Sequence, residues 1–335
     1  MQNLREGPRA GCPKRMEHGP CGGVRPGGRC EMVASPCVFL APEAWPAPPV
    51  EVPAPLIRVP VVLTDLSTPP ADARTLAEVA GLLAPTCDAL LVGDHQDRPD
   101  YPPSTLARLV AEAGGTPWVT LACRDRNRVT LEQELRALAL DGLATVLCVT
   151  GDGRAYDVRP DVTQVFDLDG TRLAALAAGL GLPVAVPETP TAPPVALRPR
   201  RLVHKQRAGA GAAVLNHVPR VEDVRAFVAA ARAEGLTMPV VASVPVFTDA
   251  RSAAALAALP GLELDPARVE AVVTADDPVA AGIASAVETA TALLAVAGVA
   301  GVNLSGMASA RGVRAAAEVQ AEVGRLLRGR VTSRA

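Results

Sequence analysis

The segments TLACRDRN (120–127) and VLCVTGD (146–152) decide how this chain reads. Each is a short apolar run ending in a cluster of polar residues, and a helical pattern at 131–140 lies between them. Strand, polar tip, helix, strand, polar tip is the order of a parallel α/β barrel, in which functional side chains gather at the carboxyl ends of the strands. The two tips put Arg124, Asp125, Asn127 and Asp152 on one rim.

Outward from this pair, short β-branched or apolar runs at 58–63, 89–92, 118–122, 145–149, 183–186, 212–215, 240–243 and 301–304 predict eight strands. Helical patterns at 72–83, 103–114, 131–140, 171–179, 199–208, 220–234, 249–258 and 279–296 separate them, and 309–328 closes the chain. Eight alternating units favour a (β/α)8 TIM-type barrel over an open sheet. The polar ending recurs at six consecutive strand ends: Asp65, then Asp94 with His95, Arg124 with Asp125, Asp152, Glu188, and Asn216 with His217. That pattern describes a site, set against the plainer reading that loop starts are often charged.

The 335 residues suffice for one such barrel and a small appendage. A net charge of −2 gives no reason to expect nucleic acid or an anionic membrane surface as partner. Aromatics are only 2% of the chain, so the core must be built from Ala, Val and Leu, and few rings remain to stack on a cofactor. No apolar run approaches the ~20 residues that span a bilayer, and no apolar stretch follows the basic first residues as it would in a secretory signal. The expected compartment is the cytoplasm, where Cys residues serve as thiols or metal ligands. Cys87, Cys123 and Cys148 lie in strand-like runs and read as buried, inert thiols.

Three regions result: a Gly-, Pro-, Arg- and Cys-rich head at 1–40, a linker at 41–55 with six prolines, and the barrel at 56–335. The linker would reach roughly 45 Å if fully extended. In the head, Cys12, Cys21, Cys30 and Cys37 are punctuated by Gly and Pro, with His18 among them. A segment with so little apolar periodicity calls for a cross-link, and four thiolates suit a tetrahedral zinc ion or an iron–sulfur cluster. The head is therefore expected to be a small Cys-rich metal-binding module, against the plainer reading of four unligated thiols in an unstructured arm.

The order of short motifs also resembles the methylenetetrahydrofolate reductase family. Asp94-His95, Cys123-Arg124-Asp125-Arg126-Asn127, Thr150-Gly151-Asp152, Val186-Pro187-Glu188, Lys205 with Ala208-Gly209-Ala210, Asn216, and the closing Val299-Ala300-Gly301-Val302-Asn303-Leu304 follow the family's sequence of strand ends. The resemblance implies an oxidoreductase of one-carbon metabolism. Barrel-bound FAD would take hydride from NADH or NADPH and pass it to 5,10-methylenetetrahydrofolate, giving 5-methyltetrahydrofolate. It implies Asp152 and Asp65 as catalytic carboxylates, with Asp152 and Asn216 at the folate. It further implies Asp94, His95, Arg124, Asp125, Asn127, Thr150, Gly151, Glu188 and Lys205 as cofactor-binding residues. Opening the folate imidazolidine ring asks for a general acid near a ring nitrogen, and a flavin diphosphate asks for cations or backbone N–H groups. The head is similar to the cysteine module of the small partner subunit, or C-terminal extension, of acetogenic-type reductases. That implies a fusion, with a homo-oligomer or a partner electron-transfer subunit as possible assemblies.

The chain also departs from the family's pattern. Leu66 stands where the family has a Glu at its first strand end, and Asp65 lies one position earlier. A one-residue shift reverses the face a strand residue uses, so Asp65 can act only where the strand end shifts. Thr189-Pro190 replaces a His-Pro pair, and Arg198, Arg201 and His204 occupy expected flavin-contact positions. The run RPRRLVHKQR (198–207) reads either as a holder of a phosphate-bearing cofactor or as a solvated helix face. These departures keep two alternatives open: a non-catalytic folate-binding or partner-docking subunit, and a reductase that works without bound flavin.

Overall fold

The computed structural model describes residues 9–332 apart from 42–44, 47, 49–50, 96–97, 154–158, 160, 260–261 and 307. Eight parallel strands close a barrel in chain order. They are β1 (Val62–Leu66), β2 (Ala89–Val92), β3 (Pro117–Ala122), β4 (Thr145–Val149), β5 (Val184–Glu188), β6 (Ala212–Leu215), β7 (Val240–Pro245) and β8 (Val299–Ser305). Around them lie α1 (Ala73–Leu83), α2 (Pro103–Glu112), α3 (Arg128–Asp141), α4 (Gly170–Gly179), α5 (Arg198–Arg207), α6 (Val221–Ala233), α7 (Ala250–Ala257), α8 (Pro266–Val273), α9 (Pro278–Leu294) and α10 (Val313–Thr332). The (β/α)8 expectation holds, and each strand lies at or within a few residues of its expected place.

Side-chain alternation sorts each strand into two faces. Leu63, Ala89, Leu91, Trp118, Leu147, Ala185, Ala212, Val214 and Val241 fill the barrel interior. Val62, Leu66, Val92, Val119, Val146 and their counterparts pack against the helices. The parity settles the first strand end: Leu63 and Asp65 share the interior face, and Leu66 belongs to the strand–helix layer.

Two elements differ from the sequence reading. β1 begins at Val62 rather than 58, because Pro60 has no N–H to give a ladder and the Asp88 carboxylate takes the N–H groups of Val61 and Val62 at 3.0 and 2.9 Å. Residues 56–61 instead enter beneath the barrel, where Ile57 and Val59 pack on the interior cluster. Helix α8 was not expected. Its signal was the Asp265-Pro266 pair: Asp265 accepts from Ala267 N at 3.0 Å, with Pro in the first turn.

The head packs on the barrel. Met16, Phe39 and Trp45 form its small core, and the Trp45 indole donates to Phe39 O at 2.9 Å. Lower down, Val52 N donates to Arg207 O at 2.9 Å, at the far end of α5.

Candidate functional site

At the strand carboxyl ends the barrel mouth divides into two cavities that meet over Gly93, Asp94, Thr120, Leu147, Pro187 and Asn216. The first, about 470 Å³, is walled by the ends of β1, β2 and β6–β8 and by Leu256 and Leu259 near α7. Asp65 projects into it from β1. Asn303 Nδ2 donates to Asp65 Oδ1 at 2.9 Å and reaches Ser243 Oγ at 3.5 Å. Burial pushes the Asp65 carboxyl above its ordinary range, and hydrogen bonds from Asn303, Ser305 and the Gly306 backbone only partly oppose this. Asn303 is 3% exposed, and among the described residues its Oδ1 has no hydrogen-bond partner. The cavity therefore presents a recessed acid, a free amide acceptor and an apolar floor of Leu91, Leu147 and Val214.

The second cavity, about 290 Å³, lies over β3–β6 and is crowded with charge. Glu188 at the end of β5 faces Arg198 at 3.3 Å, Arg201 at 2.9 Å and Lys205 at 3.0 Å. The three cations stand on one face of α5 at i, i+3 and i+7. Their charges hold Glu188 down at about 2 despite burial. Burial and the neighbouring Arg201 push Lys205 down to about 7, so Glu188 does not restore its usual basicity. The Lys205 ammonium also donates to Pro187 O. Among the described residues Arg201 Nε is buried without a partner. The basic run at 198–207 therefore splits: Arg198, Arg201, His204 and Lys205 turn inward, while Arg200 and Arg207 face solvent.

The head supplies part of this second cavity, through Lys14, Cys21, Gly22 and Gly23. Arg172 pairs with Glu17 at 2.7 Å, the buried Asp169 accepts from Glu17 N at 2.9 Å, and Arg198 donates to Cys21 O at 3.0 Å. Asp152 lines the same cavity, and burial raises its carboxyl above the ordinary range while Lys14 opposes the rise. Gly151 has φ +90°, and a Cβ there would lie 2.9 Å from Arg124 Cβ, so this position asks for glycine.

The other residues singled out in the sequence divide between site and scaffold. Asp94 pairs with Arg126 at 2.6 Å and lines both cavities. His95 reaches Asp100 at 3.5 Å and lines the first cavity, and Arg124, 2% exposed, binds Asp125 and His95 O and lines the second. Asn216 lines both cavities, and its Nδ2 donates to Thr189 Oγ1 at 2.9 Å. Thr150 Oγ1 accepts from Gly170 N at 2.9 Å, tying β4 to α4. Asn127 is exposed and caps α3, its side chain accepting from Thr130 N at 3.0 Å. His217 is buried at the end of β6 with Nδ1 3.4 Å from Glu263 O, and burial pushes it down to about 4.

The four-thiolate set expected of the head is not gathered. Among the described residues no three His, Cys, Asp or Glu side chains stand together as a metal site. Cys21 Sγ donates instead to Glu31 Oε1 at 3.2 Å, and burial pushes that thiol up to about 12. Sequence reasoning missed Lys14, Glu31 and Asn303 as site residues. Lys14 and Glu31 entered only as neighbours of Cys residues in the motif that resembles a cysteine module, and Asn303 only as part of a strand motif.

A family model described as methylenetetrahydrofolate reductase matches residues 95–319. This chain belongs to that family. Among solved structures, one similar in fold is an uncharacterized protein from Clostridium thermocellum described as binding two copies of 5-methyl-5,6,7,8-tetrahydrofolic acid. Its TM-score is 0.58 at 11% identity, covering 79% of this chain and 96% of that one. A tryptophan synthase from M. tuberculosis follows at TM-score 0.43 and 15% identity, over 82% and 92%. No curated protein matches. At the end of β1, Asp65 lines the larger cavity, while Leu66 packs in the strand–helix layer. No helix among the described residues is long and apolar enough to cross a membrane.

Proposed function

We propose that this member of the methylenetetrahydrofolate reductase family reduces 5,10-methylenetetrahydrofolate to 5-methyltetrahydrofolate, with the folate in the larger cavity and Asp65 as its acid. The observation that carries the reading is the Asp65 carboxyl, recessed in the mouth, raised by burial and held by Asn303. Burial disfavours the ionised form, which leaves Asp65 better suited than a free carboxyl to give a proton to the imidazolidine nitrogen. Protonation breaks the ring C–N bond and leaves the methylene carbon as an electrophilic iminium ready for hydride. The free Asn303 Oδ1 suits the donor edge of a pterin, and Asn216, after β6, lines the same cavity. The solved structure of similar fold that binds 5-methyltetrahydrofolic acid supports folate as the ligand class.

FAD fits the second cavity in one respect: three cations share one carboxylate there, and Arg201 Nε is a buried donor without a partner. Arg201 and Lys205 would face its phosphates, with Asp152 further along the wall. FAD, when bound, would supply the hydride, replenished by reduced nicotinamide as the family resemblance implies. The head's metal belongs to the same proposal. Cys12, Cys21, Cys30 and Cys37 would have to draw together to hold it, and Cys21 would first have to leave Glu31. Metal analysis of the purified chain tests that part.

The central test is Asp65→Asn in the full chain. Turnover of methylenetetrahydrofolate should fall by about 10²-fold or more, while binding of 5-methyltetrahydrofolate stays within a few-fold. Parental turnover in Asp65→Asn would refute the assignment of the acid. Absence of turnover in the parent, with folate binding intact, would favour the docking-subunit reading.

A further inference from the structure

The head reaches into the barrel through one side chain. Lys14 is 2% exposed and lies between two partners: its Nζ is 2.5 Å from Glu31 Oε1 and 2.6 Å from the carbonyl oxygen of Gly151. The Glu31 carboxylate, also from the head, accepts from the backbone N–H of Gly153 at 3.1 Å. The turn 151–153 that follows β4 is thus gripped at both ends by one buried ion pair from a segment more than a hundred residues away. Asp152 sits between the two grips, in the same cavity as Lys14. The fit around the pair is close. A Cβ on Gly23 would lie 2.0 Å from Glu31 Oε1, and one on Gly22 would lie 2.9 Å from Thr189 Oγ1 at the end of β5. A buried ion pair is costly to assemble and does little for stability, so its placement calls for a reason beyond holding the head down. The apolar core of the head and the Arg172–Glu17 pair already serve that purpose.

We propose that Lys14 is a positioning residue of the barrel's site: pinned by Glu31 and the Gly151 carbonyl, it fixes the turn that carries Asp152 and sets a positive charge against that carboxylate. The head then completes the site and is not an appendage to it. Among the described residues, the charged groups that act on Asp152 include Lys14, Glu31 and Arg25 of the head and Arg124 from the end of β3, with the Cys21 thiol beside Lys14. Lys14, Arg124 and Arg25 favour the ionised carboxylate; burial and Glu31 oppose it. This inference rests on Asp152 belonging to the reductase site, but the geometry of the grip does not depend on turnover.

The test uses the opposite charges of the two gripping residues. The carboxyl carbon of Asp152 would be titrated by NMR in the full-length protein with ¹³C-labelled Asp, its signal assigned by loss in Asp152→Asn. Lys14→Met should raise the titration midpoint by about one unit, and Glu31→Gln, which leaves Lys14 charged and unpaired, should lower it. Lys14→Arg should restore the parental direction. A loosened turn alone would move both variants the same way, so parallel shifts, or none, would overturn the proposal. Should Lys14→Met fail to fold, the sign of the shift in Glu31→Gln still decides. A parent that never turns over, yet shows opposite shifts, defeats the reductase reading and leaves this inference standing. Turnover in the parent with an unmoved midpoint does the reverse.

Discussion

The two halves of the barrel mouth are built on opposite plans. The half over β1, β7 and β8 is lined by barrel residues alone, and Asp65, Ser243 and Asn303 stand there above an apolar floor. The half over β3–β5 is made jointly with the head and crowds Lys14, Glu31, Arg124, Asp152, Glu188, Arg198, Arg201 and Lys205 into one region. The contrast shows in the carboxyl groups. Asp65 stays high because burial acts on it with only neutral hydrogen-bond donors to oppose it. Glu188, the less exposed residue of the two, is driven down to about 2 by three cations despite its burial. One fold thus shifts two carboxyls in opposite directions a few strands apart, the kind of separation on which acid–base chemistry draws.

The charged half has the most to lose. Glu188→Gln would leave Arg198, Arg201 and Lys205 packed together without a counter-charge, and removing one partner from a buried network costs about 3–5 kcal/mol. Urea denaturation at neutral pH should show that loss, while Ser243→Ala in the open half should stay within about 1 kcal/mol. The pH dependence carries the same signature. Because Glu188 titrates lower in the folded chain than the 4.5 of a free carboxyl, its stabilisation is present above pH 4.5 and is lost as pH falls toward about 2. Glu188→Gln should flatten that acid limb. A variant as stable as the parent would mean that the cations disperse into solvent.

The next contrast concerns what each half binds. Arg201→Met removes the buried donor without a partner and should weaken FAD binding, followed by the flavin absorbance retained on the protein, by about tenfold or more. Binding of 5-methyltetrahydrofolate in the other half should not change. Equal loss of both ligands would show that the mouth is a single site. A parent that stays colourless after incubation with FAD would remove the flavin from the scheme and leave the flavin-free reductase and the docking subunit.

How far these halves were legible in the sequence differs in the same way. The strands and polar tips of the barrel follow from local periodicity, so the fold and Asp65, Asp94, Arg124, Asp152, Glu188 and Asn216 could be read directly. The face of Asp65 could not: strand parity is fixed only once Leu63 pairs with Ala89 across the sheet. Asn127 misled because a helix cap and a strand-end site residue look alike in sequence, although Thr130 three residues on completes the capping signal. The role of Lys14 and Glu31 was illegible for a different reason. It arises from contacts across 137 and 122 residues, and no local pattern encodes them. Regular Cys spacing drew attention to the thiols, while the charged neighbours do the docking.

A smaller effect tests how tightly the head closes the charged half. Gly23→Ala places a methyl group against the Glu31 carboxylate, and overpacking of this kind costs typically 1–3 kcal/mol. The cost should fall on the head. Limited proteolysis should cut within residues 9–41 faster in the variant, with the barrel core protected as before. Cleavage rates equal to the parent's would show that Glu31 can move aside, which would weaken the case for a rigid grip on the turn 151–153.

The smallest expected effect lies in weak acid and compares two buried histidines. His204 on α5 hydrogen-bonds the His18 backbone of the head, while His217 stands at the end of β6 near Glu263. Burial pushes both down to about 4 from the ordinary 6.5. A histidine whose folded value is depressed stays neutral in the folded chain while the unfolded chain takes up a proton. Stability is therefore full above pH 6.5 and declines as pH falls toward 4, with a slope of roughly one proton for each group. His204→Gln and His217→Gln should each make that decline shallower in global unfolding. Only His204→Gln should also reduce the acid-induced exposure of the head to protease, since of the two histidines only His204 contacts the head. If both variants protect the head alike, the head's release follows global unfolding, and the two halves of the mouth are energetically one body.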